Sequence, residues 1–377
     1  MVLRAPPAAV RRTAGAEGFR TLVTALVQIP GPRLEGTEIV FTWRDPRRRY
    51  ETVRLAQDLW RPRLGPEFEP DGGVWRLRVE RPAVDRMEYQ VELTDEDGDA
   101  RLVCDPVNPL RVSGPFGDRS VLHFPEYRPP AWLDDDPPSG RVRELELESR
   151  VLRTTVTALV WTSAGAADED ALPLLVVHDG PEYADYSALL QFLDQAGHGR
   201  RVPPFRAALL PPPGDRNETY SASAAYARAL VRNLLPELRR HLPTLGRPVG
   251  AGASLGALAF LHAHRLHPHV FGGLFLQSGS FFRRRFDAHE AGFGRFGRIA
   301  RFVGRVLAPS SWDDPVPVRM TCGAVEENLR NNRAAEQALR TQGYDVELHE
   351  LRDAHNWVAW RDGLDPHLAD VLTLAWS

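Results

Sequence analysis

The chain of 377 residues contains no lysine, so all 47 of its basic residues are arginine. The absence of lysine excludes a Schiff-base mechanism and a lysine general base. The formal net charge of −3 gives no overall positive field that would favour nucleic acid or an anionic membrane surface as a partner. Composition therefore removes lysine chemistry from consideration and gives no support for a nucleic-acid or membrane partner.

Cysteines and long apolar runs are also scarce. Cys104 and Cys322 lie far apart and lack the spacing of a zinc site or a redox pair. No segment approaches the ~20 apolar residues that a membrane span needs. The apolar run at 22–29 is too short for the core of a signal peptide. These absences predict a cytoplasmic protein with reduced thiols.

The pattern of the sequence changes near residue 128. Residues 22–128, after a flexible N-terminus at 1–21, show short runs of alternating polar and apolar residues, which predicts a small β-sandwich. Four prolines and three consecutive aspartates in 129–140 predict a linker. In 141–377, buried-strand patterns alternate with helical patterns at 183–195, 219–241, 255–267 and 327–342. This alternation predicts a doubly wound α/β sheet.

The stretch Gly252-Ala253-Ser254-Leu255-Gly256 separates a strand pattern from a helix pattern. A serine nucleophile needs a sharp turn with small neighbours, because a Cβ on either side would strike the adjacent strand or helix. It also needs a base and hydrogen-bond donors for the developing oxyanion. The context predicts that Ser254 is a nucleophile at such an elbow; a purely structural glycine-rich turn is the alternative.

The base is expected after the serine, on a loop that follows a late strand. His355 meets this condition, since it lies between the strand pattern at 345–351 and the terminal helix. Four other histidines lie on or just after the helix behind the elbow and lack an i, i+4 metal-binding pair. We interpret them as solvated helix residues; they are His262, His264, His267 and His269.

The acid of the triad is predicted in the loop after the strand pattern at 316–323. Glu326 is the first choice, and Glu327 and Asp353 are alternatives. A carboxylate at this point can also serve only to complement a helix N-terminus, and this second role suits Glu327 better.

Two backbone N–H groups should form the oxyanion hole. One is that of Leu255, directly after the nucleophile. The other is expected after the strand at 172–178, where Pro181 has no N–H to donate. Gly180 or Glu182 is therefore the predicted second donor. His178, at the end of the same strand, is predicted to face the site and bind substrate.

Several segments together carry a family resemblance, namely "LLVVHDGPEY", "DRNETYSASAAYARALVRNLLPEL", "GASLGALAF", "GLFLQSGSFF", "CGAVEENLRNN" and "DAHNWVAWRDGL". In order and spacing, residues 145–377 resemble the enterochelin esterase family of esterase-D-type serine hydrolases. The β-rich region before them resembles the immunoglobulin-like early-set domain of full-length members. The most specific pieces are residues 277–280 and 355–361.

The resemblance implies an α/β-hydrolase fold and a triad of Ser254, His355 and a carboxylate on or near Glu326. It also implies hydrolysis of an ester or lactone, in the best-known case the trilactone of a ferric catecholate siderophore of the enterobactin type. No cofactor or metal is implied, because the iron belongs to the substrate. The predicted substrate contacts are His178, Asp179, Tyr183, Arg216, Glu218, Ser278 and Trp357. The interval from Arg216 to Glu218 is one residue shorter than in the usual family pattern.

Residues 281–307 carry seven arginines and two acidic residues, with apolar residues at helical spacing from Ile299 to Val306. Two interpretations stay open: a helix with a solvated basic face, or a cap whose arginines hold an anionic ligand. Two alternative functions also remain. One is an esterase acting on a feruloyl, acetyl-sugar or thioester substrate, and the other is a catalytically idle protein that binds glycan.

Overall fold

A computed structural model of the chain describes residues 31–60, 65–198 and 201–377. The predicted flexible segment 1–21 and the predicted start of the sandwich at residue 22 lie outside the described residues. No helix in the described ranges combines the length and the apolar character needed to cross a membrane.

The first part of the described chain is all β. Its strands are β1 (Arg33–Glu35), β2 (Glu38–Arg44), β3 (Tyr50–Gln57), β4 (Glu69–Asp71), β5 (Val74–Glu80), β6 (Arg86–Asp95), β7 (Ala100–Val103), β8 (Arg111–Val112) and β9 (Arg119–His123). They form two antiparallel sheets, ordered β1-β2-β5-β4 and β3-β6-β9-β8, with β7 paired to β6. Alternate apolar side chains of both sheets, such as Phe41 and Val91, meet in one core. This is the two-layer arrangement that the alternating pattern predicts.

The segment predicted as a linker, 129–140, is anchored to the second domain. It contains a 3₁₀ helix, Ala131–Asp134, whose Trp132 is buried and meets Phe192 edge to face at 5.5 Å between ring centroids. Gln191 donates a hydrogen bond to the Leu133 carbonyl (2.8 Å). The prolines interrupt regular structure, while the apolar residues between them hold the segment in place.

The second domain is built on an eight-stranded sheet. Its strands are β10 (Arg141–Ser149), β11 (Thr154–Thr162), β12 (Leu172–His178), β13 (Arg206–Leu210), β14 (Thr244–Ala253), β15 (Gly273–Gln277), β16 (Val318–Gly323) and β17 (Val346–Leu351). The order is β10-β11-β13-β12-β14-β15-β16-β17. Strands β12 to β17 are parallel, while β10 and β11 add antiparallel strands at one edge.

Helices cover both faces of this sheet and form two apolar cores. The α-helices are α1 (Gly180–Tyr186), α2 (Leu189–His198), α3 (Arg216–Tyr220), α4 (Ala224–Ala229), α5 (Leu235–His241), α6 (Leu255–Leu266), α7 (Phe296–Val306), α8 (Leu329–Thr341), α9 (Trp357–Asp362) and α10 (His367–Trp376). A π-helical turn, Leu230–Leu234, joins α4 to α5, and a 3₁₀ helix, Ala288–Gly292, precedes α7. The fold is the predicted doubly wound α/β architecture behind an all-β domain.

The two domains are joined by apolar contacts and by a buried arginine. Val325 and Ala354 of the catalytic domain belong to the apolar core of the β-domain. Arg86, at the start of β6, is 1% exposed and donates hydrogen bonds to Asp353 (3.0 Å) and Asn356 (2.9 Å). These two residues flank the loop that carries His355, so the β-domain fixes the position of that loop.

Candidate active site

Ser254 occupies the sharp turn between β14 and α6. Its φ of 55° and ψ of −120° are unusual for a residue with a side chain, and such strain is characteristic of functional turns. The two motif glycines make the turn possible. A Cβ on Gly252 would lie 2.8 Å from the backbone carbon of Gly256, and a Cβ on Gly256 would crowd His178 at 3.2 Å. The nucleophile elbow is therefore present in its full backbone form.

His355 and Glu326 form a hydrogen-bonded pair. His355 lies in the loop between β17 and α9. Its Nδ1 atom is 2.8 Å from Glu326 Oε2. The other oxygen of Glu326 accepts hydrogen bonds from Ser278 Oγ and from the Gly323 amide, both at 2.7 Å. Trp360 Nε1 in turn donates to Ser278 Oγ (3.0 Å). Hydrogen bonds thus fix one oxygen of the Glu326 carboxylate, and the other oxygen binds Nδ1 of His355. The second ring nitrogen of His355, Nε2, takes no part in this pair.

The electrostatics of this pair suit a general base. Burial alone would lower the pKa of His355, but the charge of Glu326 and its hydrogen bond outweigh this effect, so the pKa is raised. The two alternative carboxylates have other partners. Glu327 lies 3.0 Å from His289 Nε2, and Asp353 pairs with Arg86. The contacts therefore single out Glu326 as the acid.

Ser280 is a contact of the nucleophile that we do not predict from the sequence. Its Oγ lies 3.0 Å from Ser254 Oγ, and its amide donates to the Ser254 carbonyl (3.2 Å). The only signal for it is its place at the end of the 277–280 segment. We infer that Ser280 holds the Ser254 hydroxyl in position.

Ser254, Glu326 and His355 line a single cleft of about 610 Å³ between the two domains. The catalytic domain also contributes Asp179, Glu182, Arg216, Glu327, Asn356, Trp357 and Trp360. The β-domain contributes Gln57, Asp58, Leu59, Trp60, Glu88, Arg119 and the loop from Val112 to Gly117. Much of the wall that faces the catalytic residues therefore comes from the β-domain.

Asp179 and Arg216 form a bidentate ion pair on the floor of the cleft. Arg216 Nε and Nη2 donate to the two Asp179 oxygens at 2.8 and 2.7 Å. Burial alone would lower the pKa of Arg216, but its hydrogen bonds and attraction to Asp179 raise it. Glu218, predicted beside Arg216 as a substrate contact, instead pairs with Arg298 and Arg295 outside the cleft lining.

His178 does not contact the cleft. It is fully buried between the rings of Phe260 (3.6 Å between centroids) and Tyr220 (4.6 Å). Its nitrogens contact the Gly256 carbonyl (3.0 Å) and the Tyr226 hydroxyl (2.7 Å). Burial lowers its pKa to about 3, so the ring stays neutral. His178 supports the elbow from behind, and this corrects its predicted role in binding substrate.

Two further predicted substrate contacts also lie behind the cleft surface. Tyr183 is 2% exposed and donates to Gln277 (2.7 Å), while Ser278 is 1% exposed and is bound to Glu326. Tyr183 meets Trp357 edge to face at 5.3 Å. Tyr183 and Ser278 therefore position residues that reach the cleft, and Trp357 itself lines it.

Two of the predicted oxyanion donors lie at helix starts. Leu255 is the first residue of α6, and Gly180 is the first residue of α1, where amides have no partner within the helix. Burial raises the pKa of the Glu182 carboxyl, although a hydrogen bond from its own amide opposes the effect. The Glu182 amide is therefore engaged by its own side chain, and Leu255 and Gly180 remain the predicted donors.

The histidines of α6 are not solvated, contrary to our prediction. His264 is fully buried and lies 2.9 Å from the Tyr344 hydroxyl, and His262 is buried against Phe302. Among the described residues, one group has metal-ligating atoms within 4.8 Å of one another, and it consists of His289, Glu290 and Glu327. This group lies at the side of the cleft and is separate from the His355–Glu326 pair.

The arginines of 281–307 are not part of the described cleft lining. Arg298 and Arg295 bind Glu218, and Arg283 donates to Asn331 (2.8 Å). Helix α7 buries the apolar side predicted from its spacing, including Ile299 and Val303. These contacts favour a covering helix over a cap whose arginines hold the ligand.

Comparisons with known proteins identify similar esterases. A family model described as "Putative esterase" matches residues 156–371. The iron(III) enterobactin esterase of Escherichia coli O6:H1 is 23% identical over 89% of this chain and 91% of its own. The corresponding enzyme of Dickeya dadantii is 28% identical over 69% of this chain and 63% of its own.

Solved structures share the fold. The enterobactin esterase FES from Shigella flexneri, in the presence of enterobactin, has a TM-score of 0.69 at 23% identity, covering 92% of this chain and 96% of that one. The ferric enterobactin esterase from Salmonella typhimurium has a TM-score of 0.71 at 22% identity, with the same coverage. The family model spans more than half of the chain, and the chain therefore belongs to this esterase family, in agreement with the predicted resemblance.

Proposed function

We propose that this esterase hydrolyses the ester bonds of a catecholate siderophore trilactone of the enterobactin type and so assists the release of its iron. The observation that carries the proposal is the Glu326–His355 pair in the same cleft as Ser254 at its elbow. The substrate class is supported by two curated relatives named iron(III) enterobactin esterase.

The proposed reaction proceeds through an acyl-enzyme. Ser254 Oγ attacks the ester carbonyl carbon while His355 Nε2 takes the hydroxyl proton, and Glu326 stabilises the imidazolium. The amides of Leu255 and Gly180 stabilise the oxyanion. The C–O bond of the ester then breaks, and the leaving alkoxide takes the proton from His355. Water then attacks the acyl carbon while His355 takes its proton, the C–O bond to Ser254 breaks, and His355 returns the proton to Ser254 Oγ as the acid leaves.

No cofactor takes part in this scheme, and iron enters only as part of the substrate. We place the reaction in the cytoplasm. The support for this is that Cys104 and Cys322 are both free thiols, as expected in a reducing compartment.

The test is a hydrolysis assay read by mass spectrometry, with ferric and iron-free trilactone and a short-chain nitrophenyl ester. We expect Ser254→Ala to lower kcat/KM by about a thousandfold or more, since the nucleophile is lost. Ser139→Ala is the control, because this exposed serine lies outside the cleft lining.

Each outcome of this assay has a definite meaning. Trilactone opening by the wild type but not by Ser254→Ala supports the proposal. Cleavage of the nitrophenyl ester alone would keep the mechanism and overturn the substrate, in favour of another ester such as a feruloyl, acetyl-sugar or thioester compound. A fold shared with a ferulic acid esterase, at a TM-score of 0.54, makes that alternative concrete. No cleavage at all would leave the idle glycan-binding interpretation.

A further inference from the structure

Phe116 stands at the mouth of the cleft with almost its whole side chain in solvent. It is 93% exposed, whereas the next most exposed large hydrophobic residue among those described, Leu102, is 53% exposed. Phe116 lies in the loop between β8 and β9 and belongs to the lining of the cleft that holds Ser254 and His355. Single exposed apolar residues are common on proteins, but this one lines the cleft of the catalytic residues, where a bound ligand would cover it.

The other aromatic residues of the cleft are already packed. Trp357 and Trp360 meet edge to face at 4.8 Å, and Trp60 stacks on His289 at 5.0 Å. Within the described ranges, Phe116 makes no ring contact of this kind. The cleft therefore has a packed aromatic wall on the catalytic domain and a free phenyl ring on the β-domain.

The base of the Phe116 loop is held firmly. Ser113 Oγ donates to Asp118 (2.8 Å), and the Gly117 amide donates to the Gly114 carbonyl (3.0 Å). Arg119, directly after the loop, forms an ion pair with Asp58, and both residues line the cleft. Gly117 has a φ of +98°, a conformation that favours glycine.

The loop is also fixed relative to the catalytic histidine. It leads into β9, which pairs with β6, and β6 begins at Arg86. Arg86 binds Asp353 and Asn356 on either side of His355. Through these contacts the backbone of the loop keeps a defined place at the cleft, while the phenyl ring of Phe116 stays exposed.

We propose that Phe116 is a specificity-determining residue that packs on an aromatic ring in the acyl part of the bound ester. Phe116, Trp357 and Trp360 line the same cleft, so an aromatic ring bound there can meet aromatic side chains of both domains and gain from offset and edge-to-face contacts. A flexible aliphatic chain would gain only from burial. The inference rests on the proposed function in that a catechol ring is such a group.

The experiment compares three ethyl esters that differ only in the N-acyl group of glycine: N-benzoyl, N-cyclohexanecarbonyl and N-acetyl. We expect Phe116→Ala to lower kcat/KM for the benzoyl ester about three- to tenfold, mainly through KM, and for the acetyl ester less than twofold. Phe116→Trp should retain the preference for the benzoyl ester. Phe116→Leu should retain activity on the cyclohexanecarbonyl ester better than on the benzoyl ester.

Leu102→Ala is the matched control, since it removes an exposed apolar side chain of the same domain outside the cleft lining. An equal loss of activity on all three esters in Phe116→Ala, or no loss on any of them, would overturn the inference.

The same variant tested on the trilactone separates the inference about Phe116 from the proposed function. If the trilactone stays intact while Phe116→Ala still removes the benzoyl preference, the proposed function fails and the inference stands. If the wild type and Phe116→Ala open the trilactone equally well, the inference about Phe116 fails while the proposed function stands.

Discussion

Three carboxylates lie close to His355 in the chain or in space, and each has a different partner. Glu326 binds the imidazole, Glu327 contacts His289, and Asp353 pairs with the buried Arg86. The position of Glu326 is fixed further, since Ser278 and Gly323 donate to its second oxygen. A carboxylate held in this way can keep the histidine in one tautomer and orientation.

This arrangement predicts the pH dependence of Glu326→Gln. His355 acts as a base only when neutral, so kcat/KM should fall as the pH drops through its pKa. Because Glu326 raises that pKa, the variant should shift the acid limb of the pH–rate profile to lower pH. Its kcat should also fall by about three to four orders of magnitude. A pH–rate profile on a nitrophenyl ester measures both effects.

Glu327→Gln is the natural comparison, because it removes the neighbouring carboxylate of the same cleft. We expect its activity to fall less than tenfold, since its partner is His289. A larger loss in Glu327→Gln than in Glu326→Gln would show that the triad acid has been assigned to the wrong residue.

Prediction at this scale succeeded where a residue type and its place in the chain define a role. Ser254 and His355 follow from the elbow and from the chain order. The choice between Glu326 and Glu327 does not, because adjacent residues share every sequence signal. The sequence predicts His178 as a substrate contact from its place at a strand end and Ser278 from the family resemblance, yet both side chains are buried. Burial depends on packing that one sequence does not reveal.

At the scale of elements, the junction of β12 with α1 is tightly packed. Gly180 begins α1, and a Cβ at this position would overlap the Cα atom of Leu209 on β13. A methyl group there has to push β13 away from α1, and the amide proposed for the oxyanion hole would move with it.

We therefore expect Gly180→Ala to lower both stability and activity. Strain of this kind in a packed site costs about 1–3 kcal/mol in the free energy of unfolding. Gly304→Ala is the control: it lies in α7, where an added Cβ meets nothing within 4 Å, and it should stabilise the protein by about 0.5–1 kcal/mol. Urea unfolding of both variants measures the difference. Equal stability of the two variants would contradict the close packing described for Gly180.

The elements themselves were largely predictable, because alternating and continuous apolar patterns distinguish the β-domain from the buried parallel strands. The helix boundaries were not. The pattern at 183–195 predicts one helix, but the chain breaks between α1 and α2, where Ala188 has a φ of +48°. The pattern at 219–241 is divided into α3, α4, a π-helical turn and α5. Contacts with neighbouring elements decide such breaks, and periodicity does not detect them.

At the scale of the whole molecule, Arg86 connects the domains through charge that is removed from water. Its side chain is 1% exposed, and it pairs with Glu88 (2.6 Å) and Asp353 (3.0 Å). The pKa of Arg86 is raised, since attraction to these carboxylates outweighs the opposing effect of burial. This contact joins residues 267 positions apart in the chain, so the sequence carries no local sign of it.

Arg86→Met should destabilise the protein by about 3–5 kcal/mol, because two carboxylates are then left buried without their cation. Activity should also fall, since Asp353 and Asn356 flank His355. In the wild type, loss of activity and loss of far-UV circular dichroism in urea should coincide, whereas in Arg86→Met activity should be lost first.

Arg54→Met removes an exposed arginine paired with Glu67 and Glu92, and it should change the free energy of unfolding by less than about 1 kcal/mol. If Arg86→Met and Arg54→Met changed the free energy of unfolding by similar amounts, the buried ion pairs of Arg86 would contribute little to holding the domains together.

The division of the cleft between two domains has a consequence for how such an enzyme can change. The bond-breaking groups belong to the α/β sheet, while the loop from Val112 to Gly117 belongs to the sandwich. Insertions and substitutions in that loop leave the packing around Ser254, His355 and Glu326 untouched. New substrates can therefore be acquired by varying a short surface segment, and a library restricted to residues 113–117 samples selectivity at little risk to the catalytic apparatus.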